Sequence, residues 1–145
     1  MSFAVKAAQQ STSCKRKVGA VIVKDNNCIS IGWNGTLPGH DNHCEDCNGR
    51  TKTDVVHAEE NATGHLSRFT GGADNGSIFV TTAPCFVCSR LIIKAGIKEV
   101  YFLDEYKNQD GIQNLIKSNL VVIKMEFDKD RQIYVIDRVI NKGDS

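Results

Sequence analysis

The sequence predicts an α/β layered domain in which part of the sheet is parallel. Three observations carry that expectation. Short runs of β-branched and aromatic residues alternate with helix-like segments after residue 55. An earlier pair of such runs flanks the turn signal Asp25-Asn26-Asn27 and reads as a hairpin. The length of 145 residues suits one core, so residues 1–145 are expected to form a single domain.

Taken in order, the first dozen residues, around Phe3-Ala4-Val5 and Ala7-Ala8, fit a short helix. Residues 17–23 read as a strand and residues 28–33 as its hairpin partner. Residues 34–54 hold Gly, Pro, His, Asn and two Cys without an apolar period. They read as a long loop, and such loops in compact domains are usually functional or tied down. A helix is expected from Val55 to about Leu66, and Gly71-Gly72 then breaks the chain. Residues 77–81 form a short strand, and Pro84 opens a helix over residues 85–94 that Gly96 ends. A strand at 100–103, a helix at 109–117 and a strand at 120–125 follow. Residues 133–140 are ambiguous between strand and helix.

Composition removes several classes of function. Lys plus Arg is 18 and Asp plus Glu is 17, so the net charge of +1 argues against a generally basic nucleic-acid or membrane-surface binder. No run of 18 apolar residues suggests a membrane span, and the Met-Ser-Phe-Ala-Val-Lys start lacks a signal-peptide core. The expectation is a cytoplasmic protein whose six cysteines are reduced, where paired cysteines are more often metal ligands than disulfides.

The strongest feature is His57-Ala58-Glu59 followed, after 24 intervening residues, by Pro84-Cys85-Phe86-Val87-Cys88. Cysteines three apart at a helix start can turn both sulfurs to one face, and a helix N-terminus favours the thiolate that binds zinc. Cys85, Cys88 and His57 make three protein ligands for Zn2+, which leaves a fourth position for water, as in catalytic sites. Glu59 is poorly spaced to share the metal with His57. It is better placed as a proton shuttle beside that water.

At these residues the chain resembles the cytidine deaminase superfamily, whose signature is H-x-E with P-C-x-x-C, and within it the deoxycytidylate (dCMP) deaminases. Lys17-Val18-Gly19-Ala20-Val21-Ile22-Val23 resembles the family's first strand, and Ile31-Gly32-Trp33-Asn34-Gly35 its Gly-aromatic-Asn-Gly motif. His57-Ala58-Glu59-Glu60-Asn61-Ala62 matches the catalytic helix. The segment from Leu91 through Ala95-Gly96-Ile97-Lys98 to Phe102 resembles the stretch after the second cysteine. The resemblance implies a three-layer α/β/α fold, with a central mixed sheet of about five strands between helices. It implies hydrolytic deamination of dCMP to dUMP, the precursor of thymidylate, with Glu59 carrying protons to N3 and to the leaving amine. It also implies a homo-oligomer, typically a hexamer, activated by dCTP and inhibited by dTTP with Mg2+.

By the same resemblance, Asn34 matches a sugar-contacting position and Ala83 one whose backbone meets the base. Ala58 lies within the matched catalytic motif and is placed with the substrate contacts. Tyr106 matches an aromatic near the substrate. The substrate phosphate needs cations, and Lys15-Arg16-Lys17 is the densest cationic run, with Arg16 and Lys17 the candidates. Gly32, Trp33, Asn34 and Gly35 are candidates for the effector site, although Thr36 and Leu37 both precede Pro38 where the family has one residue.

The long loop adds Cys44-Glu45-Asp46-Cys47, a half-site for a second, structural zinc that Cys14 and either His43 or His40 would complete. Cys28 falls in a strand and reads as a small core residue. Two other classes of function compete. One is a deaminase of dCTP, cytidine or a tRNA adenosine, and the +1 charge gives little support for an RNA face. The other is a structural zinc module in which Cys44, Cys47, Cys85 and Cys88 form one four-thiolate site, leaving Glu59 without a role.

Overall fold

The computed structural model describes residues 1–66 and 72–143. Helix α1 (Ser2–Ala8) precedes the hairpin strands β1 (Gly19–Lys24) and β2 (Asn27–Trp33). Strands β3 (Gly35–Thr36) and β4 (Val55–Val56) close the long loop, and α2 (Ala58–Leu66) follows. The remaining elements are β5 (Ser77–Thr82), α3 (Phe86–Lys94), β6 (Glu99–Asp104), α4 (Asp110–Lys117), β7 (Val121–Asp128) and β8 (Ile133–Lys142). Of the expected break at Gly71-Gly72, Gly71 lies outside the described residues. Among the described residues no helix is long and apolar enough to cross a membrane.

The main sheet runs β2-β1-β5-β6-β7-β8. Strands β5, β6 and β7 are parallel, joined by α3 and α4 as the required crossovers. Strand β1 is antiparallel to both neighbours, and β8 is antiparallel to β7. The hairpin turns on Asp25 (φ 50°) and Asn26 (φ 61°), both left-handed, the pattern of a two-residue type I′ turn. The mixed α/β architecture forms as expected, with six strands in the main sheet where about five were anticipated. The ambiguous C-terminal segment supplies the extra strand, β8. Its pairing slips twice against β7, which destroys the strict period of two that would have identified it.

Ala20, Ile22, Ile78, Val80, Val100, Phe102 and Val122 pack under Ala58 and Ala62 of α2, Ile92 of α3 and Leu115 of α4. Helix α1 lies on the opposite face, with the Ala4 and Ala8 backbone against Gly19. The α2 backbone approaches β2 so closely that a Cβ on Gly32 would collide with the Ala58 carbonyl and lie 2.5 Å from Ala62 N. Overpacking against backbone has no flexible end to yield. Gly32→Ala is therefore expected to cost about 3 kcal/mol of stability. It would also shift the helix that carries Glu59. A chemical denaturation midpoint equal to that of the parent would refute this.

Two boundaries differ from expectation for local reasons. Helix α2 starts at Ala58, not Val55, because the β-branched pair Val55-Val56 finds a strand partner in Gly35-Thr36. His57 then stands just before the helix, its carbonyl accepting from Asn61 N at 3.0 Å. Pro84 does not open α3: Cys85 is the N-cap, and the helix begins at Phe86. Helix α3 ends as expected, with Ala95 at the C-cap and Gly96 following at φ +76°.

Candidate metal and active site

The N-termini of α2 and α3 meet beyond the carboxyl end of β5. Cys85 Sγ accepts from Cys88 N at 3.5 Å, so one sulfur caps its own helix. His57 Nδ1 lies 3.6 Å from Cys85 Sγ and 3.4 Å from Cys88 Sγ. The three candidate ligand atoms all lie within 4.8 Å of one another. The hydrogen bond from Cys88, together with that from His57, draws the Cys85 thiol down to about 4. Donating that bond, and burial, push the Cys88 thiol up. The same Cys85 hydrogen bond raises His57 above its ordinary value. A dication on these atoms would displace the protons they carry. One imidazole and two thiolates form a donor set that suits zinc, and three protein ligands leave one position open.

Glu59 is 4% exposed in the first turn of α2. Burial pushes its carboxyl above the usual range, so it is held toward the protonated form. It lines a cavity of about 170 Å³ together with His57, Ala58, Ala83 and Cys85. Asn34, Arg16 and Tyr106 line the same cavity. Lys17 does not; it is exposed outside the lining, and Lys15 takes its place. Ser13, Val18, Thr51, Val55 and Thr82 complete the wall. None of these five was singled out from the sequence. Thr51 and Val55 come from the far end of the long loop, and the only local signal was the strand-forming Val55-Val56 pair.

Asn34 already spends part of its amide on the protein. Its Oδ1 accepts from Val18 N at 2.8 Å and its Nδ2 donates to Arg16 O at 2.9 Å. One N–H and one lone pair remain for a ligand. Ala83 N donates to Asp104 O at 2.8 Å, which leaves its carbonyl as the backbone group to meet a base. Tyr106 is half-exposed at the cavity wall.

Of the four effector candidates, Asn34 alone lines this cavity. Gly32 is closed off by α2, the Trp33 carbonyl accepts from Asn61 Nδ2 at 2.7 Å, Asn34 faces the cavity, and Gly35 belongs to β3. The second-zinc set does not assemble. Among the described residues, His57, Cys85 and Cys88 are the group that converges. Cys44 is fully buried, 3.4 Å from Thr12 Oγ1, while Cys14, Cys47 and His43 are exposed. His40 instead pairs with Asp54 at 3.1 Å. The four-thiolate module is excluded on the same geometry. Cys28, expected in the core, is exposed on the edge strand β2.

A zinc-type donor triad with a buried carboxyl beside it, at the carboxyl end of a mixed sheet, defines a hydrolytic deaminase class of site. The family model described as the cytidine and deoxycytidylate deaminase zinc-binding region matches residues 1–104, and the chain belongs to that family. ComE operon protein 2 of Bacillus subtilis is 38% identical over 128 residues, covering 84% of this chain and 67% of that protein. The deoxycytidylate deaminase of Saccharomyces cerevisiae is 32% identical over 147 residues, covering 94% of this chain and 46% of its own length. The chain therefore spans about two thirds of the first relative and under half of the second. The crystal structure of dCMP deaminase from the cyanophage S-TIM5, in complex with dCMP and dUMP, matches with a TM-score of 0.83 at 39% identity. That match covers 86% of this chain and 92% of the phage chain.

Proposed function

We propose that this chain catalyses dCMP + H2O → dUMP + NH3, supplying dUMP for thymidylate synthesis. The observation that carries the reading is a single cavity lined both by His57, Glu59 and Cys85, with Cys88 gathered behind them in the ligand group, and by the cations Lys15 and Arg16. That pairing suits a cytosine base joined to a phosphate. Zinc held by His57, Cys85 and Cys88 supplies water activation and Lewis acidity when bound. The remaining chemistry falls to the chain. A C4–O bond forms from water and the C4–N bond breaks, with Glu59 passing one proton to N3 and another to the departing amine. The Ala83 carbonyl accepts from the exocyclic amine, the remaining Asn34 amide functions bind the sugar, and Tyr106 borders the base. Arg16 grips the phosphate and Lys15 adds charge.

Regulation by dCTP and by dTTP, each with Mg2+, belongs to the same proposal. Its support is mechanical. The loop from Asn34 to Pro38 contains β3, which pairs with β4, and β4 ends at the residue before His57. A homo-oligomer, in the family's hexameric form, is supported by exposed Phe127, Ile133, Ile136 and Val139 on β7 and β8. A cytoplasmic setting agrees with six free thiols.

The deciding assay follows ultraviolet loss of the cytosine chromophore with dCMP, dCTP, deoxycytidine and CMP in parallel, with and without the effectors. Selective turnover of dCMP is expected, stimulated by dCTP and suppressed by dTTP with Mg2+. Preferential turnover of dCTP, or none of any substrate by zinc-loaded protein, would overturn the substrate assignment.

A further inference from the structure

We propose that Glu45 is a positioning residue that fixes the cation-bearing segment at the cavity and so sets affinity for the phosphate of the substrate. The inference rests on the reading of Lys15 and Arg16 as phosphate ligands. Glu45 belongs to the long loop, bridged by its backbone to Thr51 of the cavity wall. Its carboxylate crosses to the turn before β1. Oε1 accepts from Ser13 Oγ at 2.8 Å and from Lys15 N at 3.3 Å, and Cys14 N donates to both oxygens at 3.2 Å. Ser13 Oγ in turn accepts from Arg16 N at 3.4 Å. One carboxylate therefore collects donors from three consecutive residues, and the last of them is Lys15. Asn34 secures the other end through Val18 N and Arg16 O. Residues 13–18 are clamped at both ends, while neither Lys15 nor Arg16 makes a salt bridge among the described residues.

Two effects of Glu45 oppose each other. Its charge repels an incoming phosphate, and its hydrogen bonds hold two cations ready to receive one. Solvent and salt screen the repulsion, because Glu45 is only partly buried. The order imposed on the segment is not screened, and a preformed cation pair binds without the cost of fixing it. Anchoring therefore wins, and it acts on binding rather than on the chemical step, since Glu45 does not line the cavity.

Glu45→Gln keeps the size of the side chain and one acceptor but loses the charge-assisted bonds. KM for dCMP is expected to rise about tenfold with kcat within about twofold. Melting temperature and zinc content should match the parent. A double-mutant cycle supplies the readout that a merely structural role would not produce. In a chain carrying Lys15→Ala and Arg16→Ala, Glu45→Gln should change KM by less than about twofold, because the groups it positions are gone. Should Glu45→Gln fold poorly, Ser13→Ala removes the shortest bond to the carboxylate and is expected to raise KM about threefold. An unchanged or lowered KM, a loss confined to kcat, or a full tenfold effect persisting without the two cations would overturn the proposal. A parent chain inactive on dCMP would instead refute the substrate reading.

Discussion

Glu59→Gln is expected to lower kcat for dCMP about 10³-fold, within the range that a positioned general acid–base contributes. Glutamine keeps the shape and the hydrogen-bonding oxygen but cannot carry a proton to N3 or to the amine. The substitution should leave zinc in place, because the ligand group consists of His57, Cys85 and Cys88 and excludes the Glu59 carboxylate. It should also leave the fold at least as stable. Burial raises the Glu59 carboxyl above its ordinary 4.5. Its protonated form is thus favoured in the folded chain, an advantage present below pH 4.5 and lost as the pH rises through the folded value. A neutral amide removes that liability at neutral pH. The checks are kcat by the chromophore assay, metal content per chain and melting temperature. Unchanged turnover excludes Glu59 as the proton carrier, and loss of zinc would make it part of the metal site instead.

The contrast between the two C-x-x-C motifs shows what a sequence can and cannot convey about such a site. Cys85 and Cys88 stand at the start of α3, where one turn of helix brings residues three apart onto one face. His57 is the residue before α2, tied to it by the bond from Asn61 N, so its relation to Glu59 two residues on is local as well. These relations are local, and the spacing conveys them. Cys44 and Cys47 have identical spacing but lie in a loop, where the Glu45–Thr51 bridge keeps the chain extended on one side of a tight turn. One cysteine enters the interior while the other faces solvent. The spacing cannot distinguish these outcomes, because the loop has no period and its path is set by contacts 30 residues or more away, such as Ser13 Oγ with Glu45. The same non-local closure puts Lys15 rather than Lys17 at the cavity, and it recruits Thr51 and Val55 to the wall. The sheet was legible where a short apolar run is bounded by turn or polar residues, as in β5 and β6, and obscure at β8, where two register shifts on an edge strand erase the pattern.

Cys88→Ser is expected to abolish turnover by a different route, through loss of the metal. Cys88 is 1% exposed in the first turn of α3, and its Sγ is the sulfur nearer His57 Nδ1. A serine hydroxyl there stays protonated at neutral pH, so it contributes neither the charge nor the soft donor that zinc needs. Structural zinc sites bind with roughly 10–16 kcal/mol at neutral pH, so with three protein ligands one ligand's share is about 4 kcal/mol, or about 10³-fold in affinity. Turnover should fall to the background of the assay unless zinc is supplied in large excess. Stability supplies a second, independent readout, since a metal that binds only the folded chain raises its melting temperature by mass action. A chelator should therefore lower the melting temperature of the parent and leave that of Cys88→Ser nearly unmoved. The two losses should also remain separable: Glu59→Gln keeps the chelator response and loses chemistry, whereas Cys88→Ser loses both. Stoichiometric zinc and full activity in Cys88→Ser would show that the three atoms gathered at the helix ends are not the metal site.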